Sequence, residues 1–214
     1  MKRKPFQIDI ITIFPEMVMP YLSGSMLGRG AKNGALKFGV HQLRKWTTDK
    51  HNTVDDKPFG GGPGMVMKVE PFDKALKALK LKKKTRVILT SARGKMFTQA
   101  DAKRLSKYDR VVFLCGRYEG VDERVAEHLA DEELSIGPYV LTGGELAAMV
   151  MTDAIVRHVP GVLGKGESLE EVHGSFPQYT RPEVFKKWKV PTVLMSGNHK
   201  KIEEWRHEQQ KKHP

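Results

Sequence analysis

The chain has 214 residues, of which 39% are hydrophobic and 29% are charged, a balance that is typical of a globular protein and excludes a disordered one. This length supports one full hydrophobic core with a small appendage. The formal net charge of +12 favours a polyanionic partner, most commonly nucleic acid, although a generic basic surface would give the same total. The single cysteine, Cys115, excludes an internal disulfide, and we interpret it as a packing residue in a reducing compartment.

No stretch of the chain is apolar over the ~20 residues that a membrane-spanning helix needs. The first apolar run, residues 8–21, is interrupted by acidic residues and prolines and does not have the form of a signal peptide. We therefore expect a cytoplasmic protein with no membrane partner.

Taken in order, the chain alternates between predicted strands and predicted helices. Runs of apolar and β-branched residues predict strands at residues 6–14, 37–43, 86–90 and 111–115. Apolar residues at helical spacing, together with cap residues, predict helices that start at Pro15, within 23–39, and at 71–81, 98–107, 121–129 and 144–159. Between these elements, residues 91–94 are predicted to form a loop and residues 131–133 an acidic turn. This alternation indicates an α/β fold.

The stretch from Val111 to Leu146 carries the clearest sign of a site. The predicted strand 111–115 ends in GRYEG, and residues 136–141 lead into TGGE. Glycines at a strand end let a ligand approach the backbone closely, and open α/β sheets bind ligands at the carboxyl ends of their strands. Two such loops predict one small-molecule pocket, and ordinary strand–turn–helix punctuation is the alternative.

Residues 51–65, HNTVDDKPFGGGPGM, form a second notable segment. Four glycines and two prolines within residues 58–64 exclude regular structure there. The chain contains neither the P-loop pattern nor GxGxxG, so the two commonest phosphate-binding loops are absent. The histidine and the paired aspartates could hold a nucleobase or a nucleic-acid backbone. They could equally belong to a long structural turn, and the sequence alone leaves both readings open.

The C-terminal third is predicted to hold a core helix, a linker and a basic module. Helix 144–159 is the most apolar of the predicted helices, which places it in the core or at a subunit interface. Arg157, near its C-terminal end, either interacts favourably with the helix dipole or points its positive charge at the pocket. Residues 160–176 form a glycine-dotted linker. Residues 185–214 hold eight Lys or Arg against three Glu, which suits phosphate contacts, although a solvated terminal helix would show the same composition.

Seven motifs resemble the bacterial tRNA (guanine-N1)-methyltransferase family, TrmD. In chain order they are PFGGGPGM (58–65), LTSARG (89–94), CGRYEGVDER (115–124), SIGPYVLTGGEL (135–146), PGVLG (160–164), PQYTRPEV (177–184) and VLMSGNH (193–199). The resemblance runs through nearly the whole chain to about Arg206. The sequence departs from the family at Pro138 and Ala147, where the family usually has an acid and a proline. Its C-terminal domain is also shorter than is usual for the family, from which we expect weaker tRNA binding.

The resemblance implies a trefoil-knotted α/β methyltransferase fold of the SPOUT type, with S-adenosylmethionine bound in the knot. On this view residues 1–164 form the knotted domain, 165–176 the interdomain linker, and 177–214 a short helical, basic tRNA-binding module. The family methylates N1 of guanosine 37, beside the anticodon of tRNA, when another guanosine precedes it. It works as a homodimer with shared active sites and needs Mg²⁺, for which the sequence indicates no ligand site.

The resemblance also implies which residues contact the cofactor. The carboxylate of Glu119 would suit the cationic sulfonium and amino groups, and the glycines would let the cofactor lie close to the backbone. Carried over by motif, the cofactor-binding residues are Thr90, Ser91, Gly116, Tyr118, Glu119, Ile136, Gly137, Pro138, Tyr139, Val140, Leu141, Gly143 and Gly144.

Methylation of N1 requires a base, because the N1 of neutral guanine carries a proton. The usual base of the family is an aspartate in the linker, and its place falls on Val172 in this sequence. We hypothesise that the neighbouring Glu171, or failing it Glu170, takes the proton, and that Arg157 stabilises the charge that develops on O6. The substrate contacts implied by the resemblance are Arg29, His51, Asp55, Asp56, Gly64 and Asn198.

Two alternatives keep the knotted cofactor pocket. One is an RNA methyltransferase that acts at another site, such as a ribose 2′-hydroxyl. The other is a basic RNA-binding protein that has lost its catalytic base. Its only support is the linker, which is several residues shorter than the family's.

Overall fold

A computed structural model describes residues 4–163 and 176–212 of the chain, which divide into two compact units after Leu163. The first unit is an α/β domain, and the second is a short segment of hairpin and helices. Within these residues no helix is both long enough and apolar enough to cross a membrane.

The first unit is built on a five-stranded sheet in which every pair of neighbouring strands is parallel. The strand order is β2-β1-β6-β5-β7. The strands are β1 (Phe6–Thr12), β2 (Leu36–Gln42), β5 (Thr85–Met96), β6 (Arg110–Cys115) and β7 (Glu132–Ser135). Two short strands, β3 (Asp55–Asp56) and β4 (Val66–Met67), pair with each other outside this sheet.

Helices cover both faces of the sheet. They are α1 (Pro15–Ser23), α2 (Ser25–Lys32), α3 (Val69–Ala78), α4 (Gln99–Leu105), α5 (Glu123–His128) and α6 (Glu145–Val156), with a 3₁₀ turn at Leu43–Trp46. Buried side chains of α1, α2, α4 and α6 pack on one face of the sheet, and those of α3, α5 and the 3₁₀ turn pack on the other. The α/β class predicted from the sequence is therefore confirmed.

The apolar content of the strands follows from this layering, since a parallel sheet is covered on both faces. In β6, Val111 and Phe113 face one core cluster while Val112 and Leu114 face the other. All four side chains are fully buried. The run 111–115 was recognisable as a strand because neither face needed a polar residue.

Two local predictions were wrong. Residues 91–94 are not a loop beyond a strand, because β5 continues through them to Met96 with a break in its pairing to β7 between Thr90 and Lys95. Residues 131–133 are not an acidic turn, because Glu132–Ser135 forms the edge strand β7. The charge of Glu132 is compatible with a strand because Arg86 and Arg104 donate to its carboxylate at 2.5 and 2.6 Å.

The second unit contains the hairpin strands β8 (Val184–Phe185) and β9 (Trp188–Lys189), followed by helices α7 (Thr192–Met195) and α8 (His199–Lys212). Asn198 Oδ1 accepts from the Lys201 backbone N–H at 3.2 Å and so caps the last helix. Trp205 of α8 packs near Tyr179, with ring centroids 6.3 Å apart.

Candidate functional site

A cavity of about 460 Å³ opens where β5, β6 and β7 lead into their following segments. Its walls come from residues 89–93, 116–121, 135–137 and 139–144, and from three further residues: Glu123, Glu133 and Ala147. The two glycine-rich loops of the sequence thus form one cavity at the carboxyl edge of the sheet, as predicted.

The loops after β6 and before α6 are joined through their backbones. The Gly144 N–H donates to the Gly116 carbonyl oxygen at 2.9 Å, and Arg117 forms an isolated antiparallel bridge with Gly143. Tyr118 and Gly120 adopt positive φ of 60° and 118°, which folds the first loop back on itself. The loop therefore presents its backbone to the cavity.

Gly143 and Gly144 are positions where no side chain fits. A Cβ at Gly144 would collide with Thr90 Oγ1 and lie 3.1 Å from Cys115 Cα, and a Cβ at Gly143 would collide with the Arg117 guanidinium. The close approach of these glycines brings the start of α6 against the ends of β5 and β6. A ligand in the cavity consequently meets main-chain atoms on this side.

The interrupted strand β5 supplies a charged wall. In the break of its pairing, Arg93 reaches across to β7 and α5, where its guanidinium donates to Glu133 Oε1 at 3.0 Å and to Glu123 Oε2. These two carboxylates raise the pKa of Arg93, the larger effect coming from Glu123. The pairs are solvent-exposed, so we treat them as orienting the wall and not as a large source of stability.

A buried ion pair lies beside the opposite wall. Arg117 Nε donates to Glu145 Oε2 at 3.0 Å, and Thr12 Oγ1 donates to Glu145 Oε1 at 2.6 Å. Cys115 lies next to this pair, and the pKa of its thiol is raised well above its usual range by burial and by the Glu145 carboxylate. Cys115 is fully buried, which agrees with its predicted packing role.

Most of the residues predicted to bind cofactor line this cavity. Pro138 is the exception, since the cavity wall passes from Gly137 to Tyr139. Tyr139 and Val140 are exposed at the rim. The lining residues that sequence reasoning did not assign are Leu89, Ala92, Arg93, Arg117, Gly120, Val121, Glu123, Glu133, Ser135, Thr142 and Ala147. The charged ones were missed because Arg and Glu in a basic, charge-rich chain are read as surface residues.

Part of the predicted substrate group lies close to the cavity. A Cβ at Gly64 would collide with the Glu119 side chain, and the Glu119 N–H donates to the Met65 carbonyl oxygen at 3.0 Å. Asp55 and Asp56 form β3, which pairs with β4 and so flanks the loop that contains Gly64. His51 is exposed in a turn that the Asp49 carboxylate closes through the His51 N–H at 3.1 Å. The glycine-rich segment 58–65 thus adjoins the cavity through Gly64.

The other predicted site residues lie elsewhere. Arg29 is on the exposed side of α2, and Asn198 belongs to the second unit. Arg157 follows the last residue of α6, whereas Gly144 at the start of that helix lines the cavity. At 1.5 Å per residue, the intervening 12-residue helix separates them by about 18 Å. Glu170 and Glu171 lie outside the described residues.

Metal ligands do not cluster in the described residues. Among residues 4–163 and 176–212 no three His, Cys, Asp or Glu side chains are grouped so that they could hold a metal ion.

Taken together, a parallel α/β sheet and a glycine-lined cavity at its carboxyl edge define an α/β protein with a small-molecule site of the open-sheet type. A family model described as "tRNA (Guanine-1)-methyltransferase TrmD" matches residues 6–214. A tRNA (guanine-N(1)-)-methyltransferase from Staphylococcus carnosus (strain TM300) is 52% identical over 208 residues, which cover 95% of this chain and 85% of that protein. The protein of the same name from Staphylococcus aureus (strain JH9) is 50% identical over the same shares.

The chain therefore belongs to the tRNA (guanine-N1)-methyltransferase family, and the resemblance found in its motifs is confirmed. The alternative reading as a non-catalytic RNA-binding protein is not favoured, since its relatives are named as enzymes.

Proposed function

We propose that the chain transfers a methyl group from S-adenosylmethionine to N1 of guanosine 37 in tRNA. The observation that carries this proposal is the cavity, because three of the motifs that mark the family converge on its walls. The cofactor supplies an electrophilic methyl group on a sulfonium, so the protein has mainly to bind, orient and deprotonate.

The cavity fits such a cofactor in size and chemistry. Its volume of about 460 Å³ lies in the range of pockets that bury small ligands. The glycines of the wall let a ligand lie close to the main chain, and the Glu119 carboxylate can balance the positive charge of the sulfonium. The trefoil knot that the resemblance implies remains part of this proposal.

The position of Arg157 supports a shared active site. If Arg157 stabilises the charge on O6, it must approach the guanine from another copy, since about 18 Å separates it from the cavity-lining end of its own helix. The proton acceptor proposed for N1 is Glu171, or failing it Glu170. We thus propose a homodimer in which each cavity receives these residues from its partner.

An exposed apolar surface is available for this dimer. Met17 of α1 and Leu146 and Val150 of α6 are each 43–50% exposed although the two helices pack together. At the same surface the Tyr21 hydroxyl donates to Asp153 Oδ2 at 2.7 Å. Contiguous exposed apolar side chains of this kind mark interaction sites.

The substrate is proposed to approach over the glycine-rich segment. Gly64 adjoins Glu119 of the cavity and has no side chain to bar an extruded base. Asp55, Asp56 and His51 lie on the same stretch of chain, residues 51–65. Arg29 and the basic second unit with Asn198 would contact the anticodon stem, and the net charge of +12 would supply long-range attraction to its phosphates. A requirement for Mg²⁺ and a cytoplasmic location complete the proposal.

The test is methyl transfer from labelled S-adenosylmethionine to an unmodified transcript that carries guanosines at positions 36 and 37. A transcript with adenosine at 37 is the control, each reaction is run with Mg²⁺ and with a chelator, and the products are digested to nucleosides. Label is expected in 1-methylguanosine only and absent from the control. Label in a 2′-O-methylated nucleoside would instead favour action at the ribose.

The base is tested by the double variant Glu170→Gln/Glu171→Gln. Turnover is expected to fall at least about 100-fold, within the range that general base catalysis contributes, while cofactor affinity is retained. Turnover within a few-fold of the parent would rule out both glutamates as the base.

A further inference from the structure

Glu145 is a buried carboxylate beside the cavity that the proposed chemistry leaves without a role. It is the first residue of α6, its exposure is 0%, and it does not line the cavity. Burying an ionised carboxylate is costly unless it is paired and hydrogen-bonded. Its partners therefore indicate what it contributes.

Those partners come from the ends of two other elements. Thr12, the last residue of β1, donates its hydroxyl to Oε1 at 2.6 Å, and Arg117, two residues after β6, donates Nε to Oε2 at 3.0 Å. Thr12 Oγ1 also accepts from the Phe14 N–H at 2.9 Å. One carboxylate thus ties the ends of β1 and β6 to the start of α6.

Arg117 carries this constraint to both walls of the cavity. Its Nη1 donates to the Thr142 carbonyl oxygen at 3.2 Å, and its guanidinium lies over the Phe14 ring, 4.7 Å from the ring centroid. Its own backbone bridges to Gly143 and is followed directly by the cavity residues Tyr118 and Glu119. The side chain is therefore fixed between the two loops that form the cavity.

We infer that Glu145 is a positioning residue for the methyl donor. Through Arg117 it sets the spacing between residues 117–120 and residues 142–144, and so preorganises the cavity before the donor binds. A preorganised site binds more tightly because little ordering remains to be done at binding. This inference rests on the proposed function, since it assumes that S-adenosylmethionine occupies the cavity.

The experiment compares the affinity of S-adenosylhomocysteine, which carries no methyl group to transfer, for the parent, Glu145→Gln and Glu145→Asp by titration calorimetry. Glutamine leaves one of the two donors without an acceptor and removes the counter-ion of Arg117, and aspartate is too short to reach both donors. Because Glu145 does not line the cavity, either change acts through its partners. The Kd is expected to rise at least about tenfold for Glu145→Gln, of the order that misplacement of binding groups costs.

Asp9→Asn is the matched control. Asp9 is also a buried carboxylate with two cationic or ring partners, Arg110 and His41, but it does not line the cavity and neither do its partners. Its loss should lower the melting temperature by a similar amount and leave the Kd within about twofold of the parent. All titrations are run well below the melting temperatures of the variants.

The outcomes separate the inference from the proposed function. A Kd that rises in both Glu145 variants but not in Asp9→Asn, with the same factor in the KM for the donor, supports positioning. A Kd within twofold of the parent, alongside a lowered melting temperature, would show that Glu145 only stabilises the fold. If Glu145→Gln does not fold, Glu145→Asp decides by the same criterion. Failure of the parent to bind S-adenosylhomocysteine would overturn the proposed function, and this inference with it.

Discussion

Cys115 owes its chemical behaviour to its position at the buried end of β6. Burial, and secondly the Glu145 carboxylate, hold the pKa of its thiol well above the usual range, so the reactive thiolate is scarce. We expect iodoacetamide at pH 8 to label the native protein at least about 100-fold more slowly than the protein in urea, measured by mass spectrometry. Rapid labelling of the native protein would contradict this account of the site.

Asp9 makes stability depend on pH in the acid range. Burial alone would raise the pKa of Asp9, but hydrogen bonds from His41 and Arg110, at 2.6 Å each, outweigh burial and lower it. Because the folded pKa lies below the unfolded value, the stabilisation is complete above pH ~4 and is lost as the pH falls through the folded pKa.

Asp9→Asn is therefore expected to lower the free energy of unfolding at pH 7 by on the order of 3 kcal/mol. The difference from the parent should shrink below pH ~4. Urea denaturation across a pH series measures it. Asp73→Asn, which removes the half-buried partner of the exposed Lys77, is the control and should change stability by less than about 1 kcal/mol at any pH.

Helix α4 is held at its start by a capping box. The Asp101 N–H donates to Thr98 Oγ1, and the Thr98 N–H donates to Asp101 Oδ2, so two otherwise unsatisfied donors are paired. Thr98 is therefore the N-cap of α4, at the start predicted for this helix. We expect Thr98→Ala to cost about 1 kcal/mol in urea denaturation and Thr98→Ser to cost little. Equal stability of all three proteins would show that the box contributes nothing.

The junction of α6 with the sheet depends on Gly144. Because a Cβ there would collide with Thr90 Oγ1, Gly144→Ala should push the helix start away from the cavity and raise the Kd for S-adenosylhomocysteine at least about tenfold. Gly24→Ala is the control, since a Cβ at Gly24 would make only ordinary contacts at 3.5 Å and beyond. Unchanged affinity in Gly144→Ala would mean that the junction can relax without moving the cavity wall.

The elements that were predicted correctly are those whose evidence is local. Strand 111–115 is apolar on both faces, and the cap of α4 lies within the four residues 98–101. The strand β7 was missed because Glu132 is neutralised by Arg86 and Arg104, which lie 46 and 28 residues away in the chain. No local pattern could show that these charges cancel.

The candidate site divides in the same way. Glycines beside a strand end predicted two walls of the cavity from the sequence. Arg93 could not be predicted, because its side chain is held in the wall by Glu133, which lies 40 residues further along the chain. Pro138 was carried over with its neighbours and does not line the wall, so its role stays a prediction. The roles of Glu170 and Glu171 are tested by the double variant described above, and the role of Arg157 stays a prediction.

At the scale of the whole molecule, charge should dominate the affinity for RNA. With a net charge of +12, tRNA binding is expected to weaken about 10³-fold or more between 50 and 200 mM salt if at least six phosphates are contacted. Fluorescence anisotropy of labelled tRNA measures this. The affinity for S-adenosylhomocysteine, measured in the same buffers, should change by less than about threefold, because few net charges are exchanged there.

Self-association should depend on the α1–α6 surface. Val150→Glu places a charge among the exposed apolar side chains of that surface and is expected to yield monomers in sedimentation equilibrium. Methyl transfer should fall at least about 100-fold, since Arg157 could no longer reach a partner's cavity. Leu81→Glu, at an exposed apolar residue of the turn before β5, is the control. An active monomer would exclude a shared site.

The interruption of β5 decides where this chain can change length. Thr90 and Lys95 both pair with Leu134, so residues 91–94 are an excursion between two stretches of a single strand. Inserting or deleting one residue there would turn the side chains of one stretch to the opposite face of the sheet and remove part of a cavity wall at the same time. Lengthening the exposed turn at residues 80–84 would add only loop entropy. Among related sequences, insertions and deletions should therefore occur in the turn at residues 80–84, at the amino edge of the sheet. The number of residues in the segment 91–94 beside the cavity should stay constant.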